Sequence, residues 1–186
     1  MNFISKNRYV LFVILGVVSM ALMISNITKL INDFQYYIEN GIELTTRMIF
    51  LLVEYICIFF AELVFVIISY RRQMDKYLIL TSVILYYAST GAMYVYEVFF
   101  RNDFSYILNL SISILCIVTV FISLSNPRYF LSSLILLLID SAFCLSNTFA
   151  GSTVGLSTLI LTILLIFSIV LYNDRRVDDN DYNAYS

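Results

Sequence analysis

The sequence contains no histidine, and this removes the commonest general base, haem ligand and zinc ligand together. Its three cysteines, Cys57, Cys116 and Cys144, each lie inside an apolar run and form no CxxC pair, so we expect small buried side chains. The sequence also lacks the HExxH and GxSxG motifs, a glycine-rich phosphate loop and any pattern typical of nucleic-acid binding. We therefore expect a protein that is not an enzyme, with no cofactor, no metal site and no nucleic-acid partner.

Proline, glycine and charged residues are scarce as well. One proline, Pro127, and five glycines leave long helices uninterrupted and provide no linker between domains. Only 13% of the residues are charged, whereas 61% are hydrophobic and the mean hydropathy is +0.88. No soluble domain needs so many apolar residues to fill its core. The composition predicts an all-α integral membrane protein.

Six apolar runs follow one another along the chain, each close to the ~20 residues that cross a bilayer core. They occupy residues 9–25, 48–70, 76–100, 104–124, 129–146 and 154–172. Between the first two runs, apolar residues recur at helical spacing over residues 27–39, and polar residues fill the other face. This pattern predicts an amphipathic outer helix that either prolongs span one or lies along the membrane surface, and that ends at Asn40 and Gly41. We expect residues 1–172 to form a single six-helix transmembrane domain.

The lysines and arginines decide the expected topology. If the N-terminus is cytoplasmic, the inner segments hold eight of these residues and the outer segments hold three. The inner eight are Lys6, Arg8, Arg71, Arg72, Lys76, Arg128, Arg175 and Arg176, and the outer three are Lys29, Arg47 and Arg101. This excess predicts six spans with both termini in the cytoplasm. Residues 173–186, which hold four aspartates, are then a short acidic cytoplasmic tail with a disordered, solvated end. The expected location is the cell (plasma) membrane, in particular the bacterial cytoplasmic membrane.

Span two carries two carboxyl groups, those of Glu54 and Glu62, inside its apolar run. An ionisable group near the centre of a spanning helix costs roughly 2.5 to 3.5 kcal/mol on insertion scales, so its presence points to a bundle interior, a cavity or a partner. The topology brings polar groups from four helices to a comparable depth on the outer side, and no Lys or Arg lies inside any span. The predicted ligand-binding residues are Glu54, Asp140, Asn109, Glu97, Tyr94 and Tyr87. They predict an outward-facing pocket of carboxyl groups and tyrosines for a cationic or amine-bearing ligand, with cation–π contacts.

Other interpretations of these acids stay open. Each acid is also compatible with a protonated carboxyl group that hydrogen-bonds a neighbouring Ser, Thr or Tyr and so joins two helices. Glu97 lies near the end of its span and is expected to meet headgroup water, whereas Glu62 is either a helix-joining residue or a second site. Pairing with Lys or Arg on the spans of another subunit would also account for the acids.

The leading hypothesis is a small substrate-binding or transport-complex subunit in the lipid bilayer, which works with another membrane or membrane-associated subunit. Six spans, a long first outer loop and an outer polar cluster resemble the architecture of the substrate-binding components of energy-coupling-factor vitamin transporters. The resemblance is architectural, since span one offers only Gly16, Ser19 and Ala21 where that family has a strip of small residues. No span is broken by Pro or paired Gly, which argues against a self-contained secondary transporter. The alternative is a membrane interaction protein, such as a sensor module, an immunity protein or an accessory subunit, whose acids pair with basic residues of a partner.

Overall fold

A computed structural model describes the backbone of residues 2–41, 45–71 and 75–184 and the side-chain surroundings of residues 9–41, 45–68 and 75–174. All of the regular structure in these ranges is helical. The long helices are α1 (Asn2–Glu39), α2 (Thr46–Arg71), α3 (Lys76–Val95), α4 (Ile107–Ser125), α5 (Phe130–Phe149) and α6 (Thr153–Ala184). A π-helical turn at Tyr96–Phe100 follows α3, and 3-10 turns at Phe104–Tyr106 and Pro127–Tyr129 precede α4 and α5.

Each of these helices belongs to a stretch that is long and apolar enough to cross a membrane. The stretches are Tyr9–Glu39, Thr46–Ile68, Lys76–Phe100, Phe104–Ser125, Pro127–Phe149 and Thr153–Asp174. The prediction of an all-α chain with six long apolar helices is therefore confirmed, because the length and hydropathy of a run define such segments. The side of the membrane on which the termini lie stays a prediction from the basic residues.

The helices pack in chain order and close on themselves. Each helix contacts the next one, and α1 returns to contact α6. Helix α6 also contacts α2 and α3, so it lies against four other helices. Its approach to α5 depends on Gly155, because an added Cβ at this position would lie 2.9 Å from the amide nitrogen of Thr148. Small residues allow membrane helices to pack this closely. Close packing matters there because lipid tails are as apolar as the helix surfaces, so the hydrophobic effect does not hold the helices together.

Helix α1 continues without a break through residues 27–39. The segment predicted as an amphipathic outer helix is thus the last part of α1, and the structure does not separate it from span one. Neither proline nor glycine occurs between Ser25 and Glu39 to interrupt the backbone hydrogen bonds. The helix ends just before Asn40 and Gly41, and Gly41 has a φ of +66°, which suits glycine.

Helix α6 extends to Ala184, well past the predicted end of span six at residue 172. Residues 173–184 of the acidic tail are therefore helical, where we expected a disordered end. No proline or glycine follows Gly155 in the sequence, so the chain offers no local signal that would stop the helix earlier.

Candidate functional site

A cavity of about 170 Å³ lies toward one end of the helix bundle. This is the end at which α3 leads into α4 and α5 leads into α6, because residues close to both connections line the cavity. Four predicted ligand-binding residues line it together: Glu54 of α2, Tyr94 of α3, Asn109 of α4 and Asp140 of α5. Helix α6 contributes Thr158. Five helices therefore bring polar side chains to one cavity.

Three hydroxyl groups lie near the carboxyl group of Asp140, and Tyr87 makes the shortest contact. Tyr87 donates a hydrogen bond to Oδ2 at 2.9 Å, whereas Thr162 and Tyr86 lie 3.3 and 3.5 Å from the same oxygen. The hydroxyl hydrogen of Thr162 has a closer acceptor, the carbonyl oxygen of Thr158, at 2.8 Å. All three contacts are to Oδ2, so they leave Oδ1 for a group in the cavity. Tyr87 itself is only 1% exposed and does not line the cavity. Tyr87 is therefore placed to orient Asp140. The sequence had predicted that Tyr87 contacts the ligand directly.

Glu54 lines the cavity without a partner. Its side chain is half-buried, and no residue in the described ranges donates a hydrogen bond to it or forms an ion pair with it. Neither Lys nor Arg is among the described residues that line the cavity. Two carboxyl groups on different helices thus share a space with no basic side chain, an arrangement suited to a cation.

Tyr94 and Asn109 add an aromatic surface and an amide to the cavity wall. The ring of Tyr94 stacks on that of Tyr106 with 5.9 Å between the ring centroids, which fixes the ring beside the cavity. The face of a tyrosine ring attracts a cation within ~6 Å of its centroid. The amide of Asn109 offers both a hydrogen-bond acceptor and a donor. The cavity wall therefore combines an aromatic face, which attracts positive charge, with an amide that forms hydrogen bonds.

Glu97 lies outside the cavity and has basic partners of its own. Arg47 Nε lies 2.7 Å from its Oε1, and Arg101 Nη1 lies 3.1 Å from its Oε2. The expectation that Glu97 meets headgroup water is wrong, because its side chain is only 2% exposed. Arg47 lies near the start of α2, and Glu97 lies in the π-helical turn Tyr96–Phe100, which ends directly before Arg101. The four-residue spacing of Glu97 and Arg101 is a signal from which this pair could have been predicted.

The second acid of α2, Glu62, is fully buried where α1, α2 and α6 meet. The Oγ atoms of Ser19 and Ser157 each lie 2.5 Å from Glu62 Oε1, and the two Oγ atoms are 3.0 Å apart. Glu62 therefore shares a helix with Glu54 but does not line the cavity. The sequence did not pair Glu62 with Ser19 or Ser157 because the three residues come from distant parts of the chain.

Comparisons with protein-family models, with curated proteins and with solved structures gave no match to this chain. The described residues offer two separate acidic sites: the cavity with Glu54 and Asp140, and the buried cluster of Glu62 with Ser19 and Ser157.

Proposed function

We propose that this chain is a non-enzymatic subunit of a membrane binding or transport complex, and that its cavity binds a small cationic or amine-bearing ligand. One observation carries the proposal. Glu54 and Asp140, from α2 and α5, line the same cavity, and no Lys or Arg of the described chain lines it with them. A ligand with a positively charged nitrogen supplies the missing charge.

The size of the cavity limits the ligand. Its volume of about 170 Å³ is well below the roughly 300 to 1,000 Å³ of pockets that bind drug-sized molecules. Since one water occupies about 30 Å³ in the liquid, the cavity has room for roughly five or six non-hydrogen atoms of that size. A short primary amine or a hydrated metal cation fits this volume, whereas a vitamin-sized molecule would extend beyond it.

Each predicted ligand-binding residue that lines the cavity has a part in this proposal. The ammonium group of the ligand donates hydrogen bonds to Glu54 and to Oδ1 of Asp140, which Tyr87 orients from behind. Tyr94 presents its ring to the charge, and Asn109 contacts a polar substituent next to the nitrogen. The excess of basic residues at the opposite end of the spans favours a cavity that faces the outside of the cell.

The test is the thermal stability of the full-length protein, purified in detergent, against a panel of short primary amines and metal cations. A ligand present at a hundred times its Kd stabilises the folded state by about 2.7 kcal/mol, which is a readily measured shift. We expect an amine to stabilise the wild type and to lose this effect in Glu54→Gln and Asp140→Asn. Glu62→Gln is the matched control, because it removes a buried carboxyl group that does not line the cavity.

The alternative function is that of an interaction protein whose acids pair with basic residues of another membrane subunit. The same purified protein tests it. This alternative predicts that a second membrane protein co-purifies with the wild type, that Glu54→Gln releases it, and that no amine in the panel raises the melting temperature. That combination would replace the ligand-binding proposal.

A further inference from the structure

Three oxygen atoms form a tight triangle at the junction of α1, α2 and α6. Its corners are Glu62 Oε1, Ser19 Oγ and Ser157 Oγ, and its edges measure 2.5, 2.5 and 3.0 Å. Each edge is within the distance of an O–H···O hydrogen bond, and 2.5 Å is at the short end of that range. All three side chains have zero exposure to solvent.

The hydrogens of this triangle have two possible arrangements. On an ionised Glu62, each serine donates its one hydroxyl hydrogen to Oε1, and the two Oγ atoms are in ordinary contact with no hydrogen between them. With a proton on Oε1, Glu62 donates to one serine, that serine donates to the other, and the second serine donates back to Oε1, so that all three edges are hydrogen bonds. The backbone carbonyl oxygens of Ser157 and Ser19 also lie 3.1 and 3.4 Å from the Oγ atom of the other serine.

The other carboxyl oxygen of Glu62 distinguishes the two states. Glu62 Oε2 is buried and has no hydrogen-bond partner among the described residues. On an ionised carboxylate this oxygen would carry about half of a negative charge into an apolar interior, where an unpaired charge costs several kcal/mol. On a neutral carboxylic acid, Oε2 is a carbonyl oxygen, and leaving it unpaired costs much less.

No positive side chain faces Glu62 from the helices that pack around it. Ser19 is its contact on α1 and Ser157 its contact on α6. The nearest acid on its own helix, Glu54, is eight residues away, or ~12 Å along the axis. On α3, Ser82 donates to the carbonyl of the adjacent Ala61 and brings no charge. The ion pairs of the described chain are both at Glu97.

We propose that Glu62, Ser19 and Ser157 form a proton-binding site that joins α1, α2 and α6, with Glu62 carrying the proton. This site is separate from the cavity lined by Glu54 and Asp140, and the proposal does not depend on amine binding in that cavity. Glu97 provides the contrast within the same chain: both glutamates are buried, but Glu97 faces two guanidinium groups and is ionised, whereas Glu62 faces two hydroxyl groups and is neutral.

Infrared spectroscopy of the full-length protein in lipid vesicles tests the proposal, because a protonated carboxyl group and an ionised carboxylate absorb in separate regions. We expect Glu62→Gln to remove a protonated-carboxyl band at neutral pH. The control, Glu97→Gln, is expected to remove carboxylate absorption and to leave that band unchanged. Loss of carboxylate absorption in Glu62→Gln, with the protonated band intact, would overturn the proposal.

The pH dependence of thermal stability gives an independent readout. A folded chain that keeps a proton which the unfolded chain releases to water loses stability as the pH rises. We expect this loss between mildly acidic and mildly alkaline buffer to be smaller in Glu62→Gln, whose neutral amide occupies the same space. An unchanged pH dependence in Glu62→Gln would contradict the proposed proton-binding site. Stabilisation of the wild type by sodium ions that disappears in Glu62→Gln would also contradict it, because a metal ion would then neutralise Glu62.

Discussion

At the scale of single residues, the chain holds glutamates in three different settings. Glu97 is buried between two guanidinium groups, Glu62 is buried between two hydroxyl groups, and Glu54 lines a cavity with no described partner. All three lie within apolar helical stretches, so hydropathy alone treats them alike. Their partners differ, and our two proposals follow from this difference: a neutral carboxyl group at Glu62 and a ligand-binding one at Glu54.

The first prediction concerns the two tyrosines that contact Asp140. Tyr87→Phe removes a hydrogen bond of 2.9 Å to a carboxyl oxygen and should cost about 1 to 2 kcal/mol of unfolding free energy. Tyr86→Phe removes a contact of 3.5 Å to the same oxygen and should cost less than about 0.5 kcal/mol. Thermal unfolding followed by circular dichroism measures both. Equal losses in the two variants would contradict the assignment of Tyr87 as the main support of Asp140.

At the scale of the helices, α6 connects the two acidic sites. Ser157 contacts Glu62, and the neighbouring Thr158, about 100° further around α6, lines the cavity that holds Glu54 and Asp140. One turn further along, the hydroxyl group of Thr162 lies 3.3 Å from Asp140 Oδ2. The shape of the cavity therefore depends on how α6 packs against α5, and Gly155 allows the two helices to approach closely.

The second prediction compares two helical glycines. In Gly155→Ala, the new Cβ would lie 2.9 Å from the amide nitrogen of Thr148, so α5 and α6 must separate at a cost of about 1 to 3 kcal/mol. In Gly91→Ala, the new Cβ lies 3.9 Å from Ser113 Cβ, an ordinary contact. The better helix former should then gain up to about 1 kcal/mol. The melting temperature should fall in the first variant and hold or rise in the second. A fall of equal size in both would contradict the close packing at Gly155.

The existence of the six helices could be predicted from sequence, but some of their ends could not. Apolar runs of sufficient length define each helix locally, and this is why their number is confirmed. The end of α6 at Ala184 and the π-helical turn Tyr96–Phe100 carry no proline or glycine signal. These features depend on hydrogen bonding along the backbone and on packing, which single-residue patterns describe poorly.

At the scale of the whole molecule, the candidate site depends on which helices are neighbours. The sequence supplied the depth of each polar residue through the topology. Depth grouped Glu54, Asn109 and Asp140 with Tyr94, which line the cavity, and also with Glu97, which does not. Depth carries no information on position around the bundle. The partners of Glu62, on α1 and α6, and the Arg47 partner of Glu97 therefore appear only once the helices are packed.

The third prediction tests the orientation on which the depth argument rests. In a background with the native cysteines replaced, Ala150→Cys places a thiol between α5 and α6, at the end of the bundle where the cavity lies. Asn126→Cys places one at the opposite end, between α4 and α5. A membrane-impermeant maleimide should label Ala150→Cys on intact cells and Asn126→Cys only after permeabilisation. The reverse pattern would show that the cavity faces the cytoplasm.

The most direct test of the central claim is a calorimetric titration of the purified protein with the short amine that stabilises it most. We predict saturable binding to the wild type, unchanged binding to Glu62→Gln, and at least a tenfold weaker affinity in Glu54→Gln and in Asp140→Asn, which corresponds to about 1.4 kcal/mol or more for each carboxylate. Equal affinities in the wild type, Glu54→Gln and Asp140→Asn would show that the ligand does not bind between these two acids and would contradict the proposed cation site.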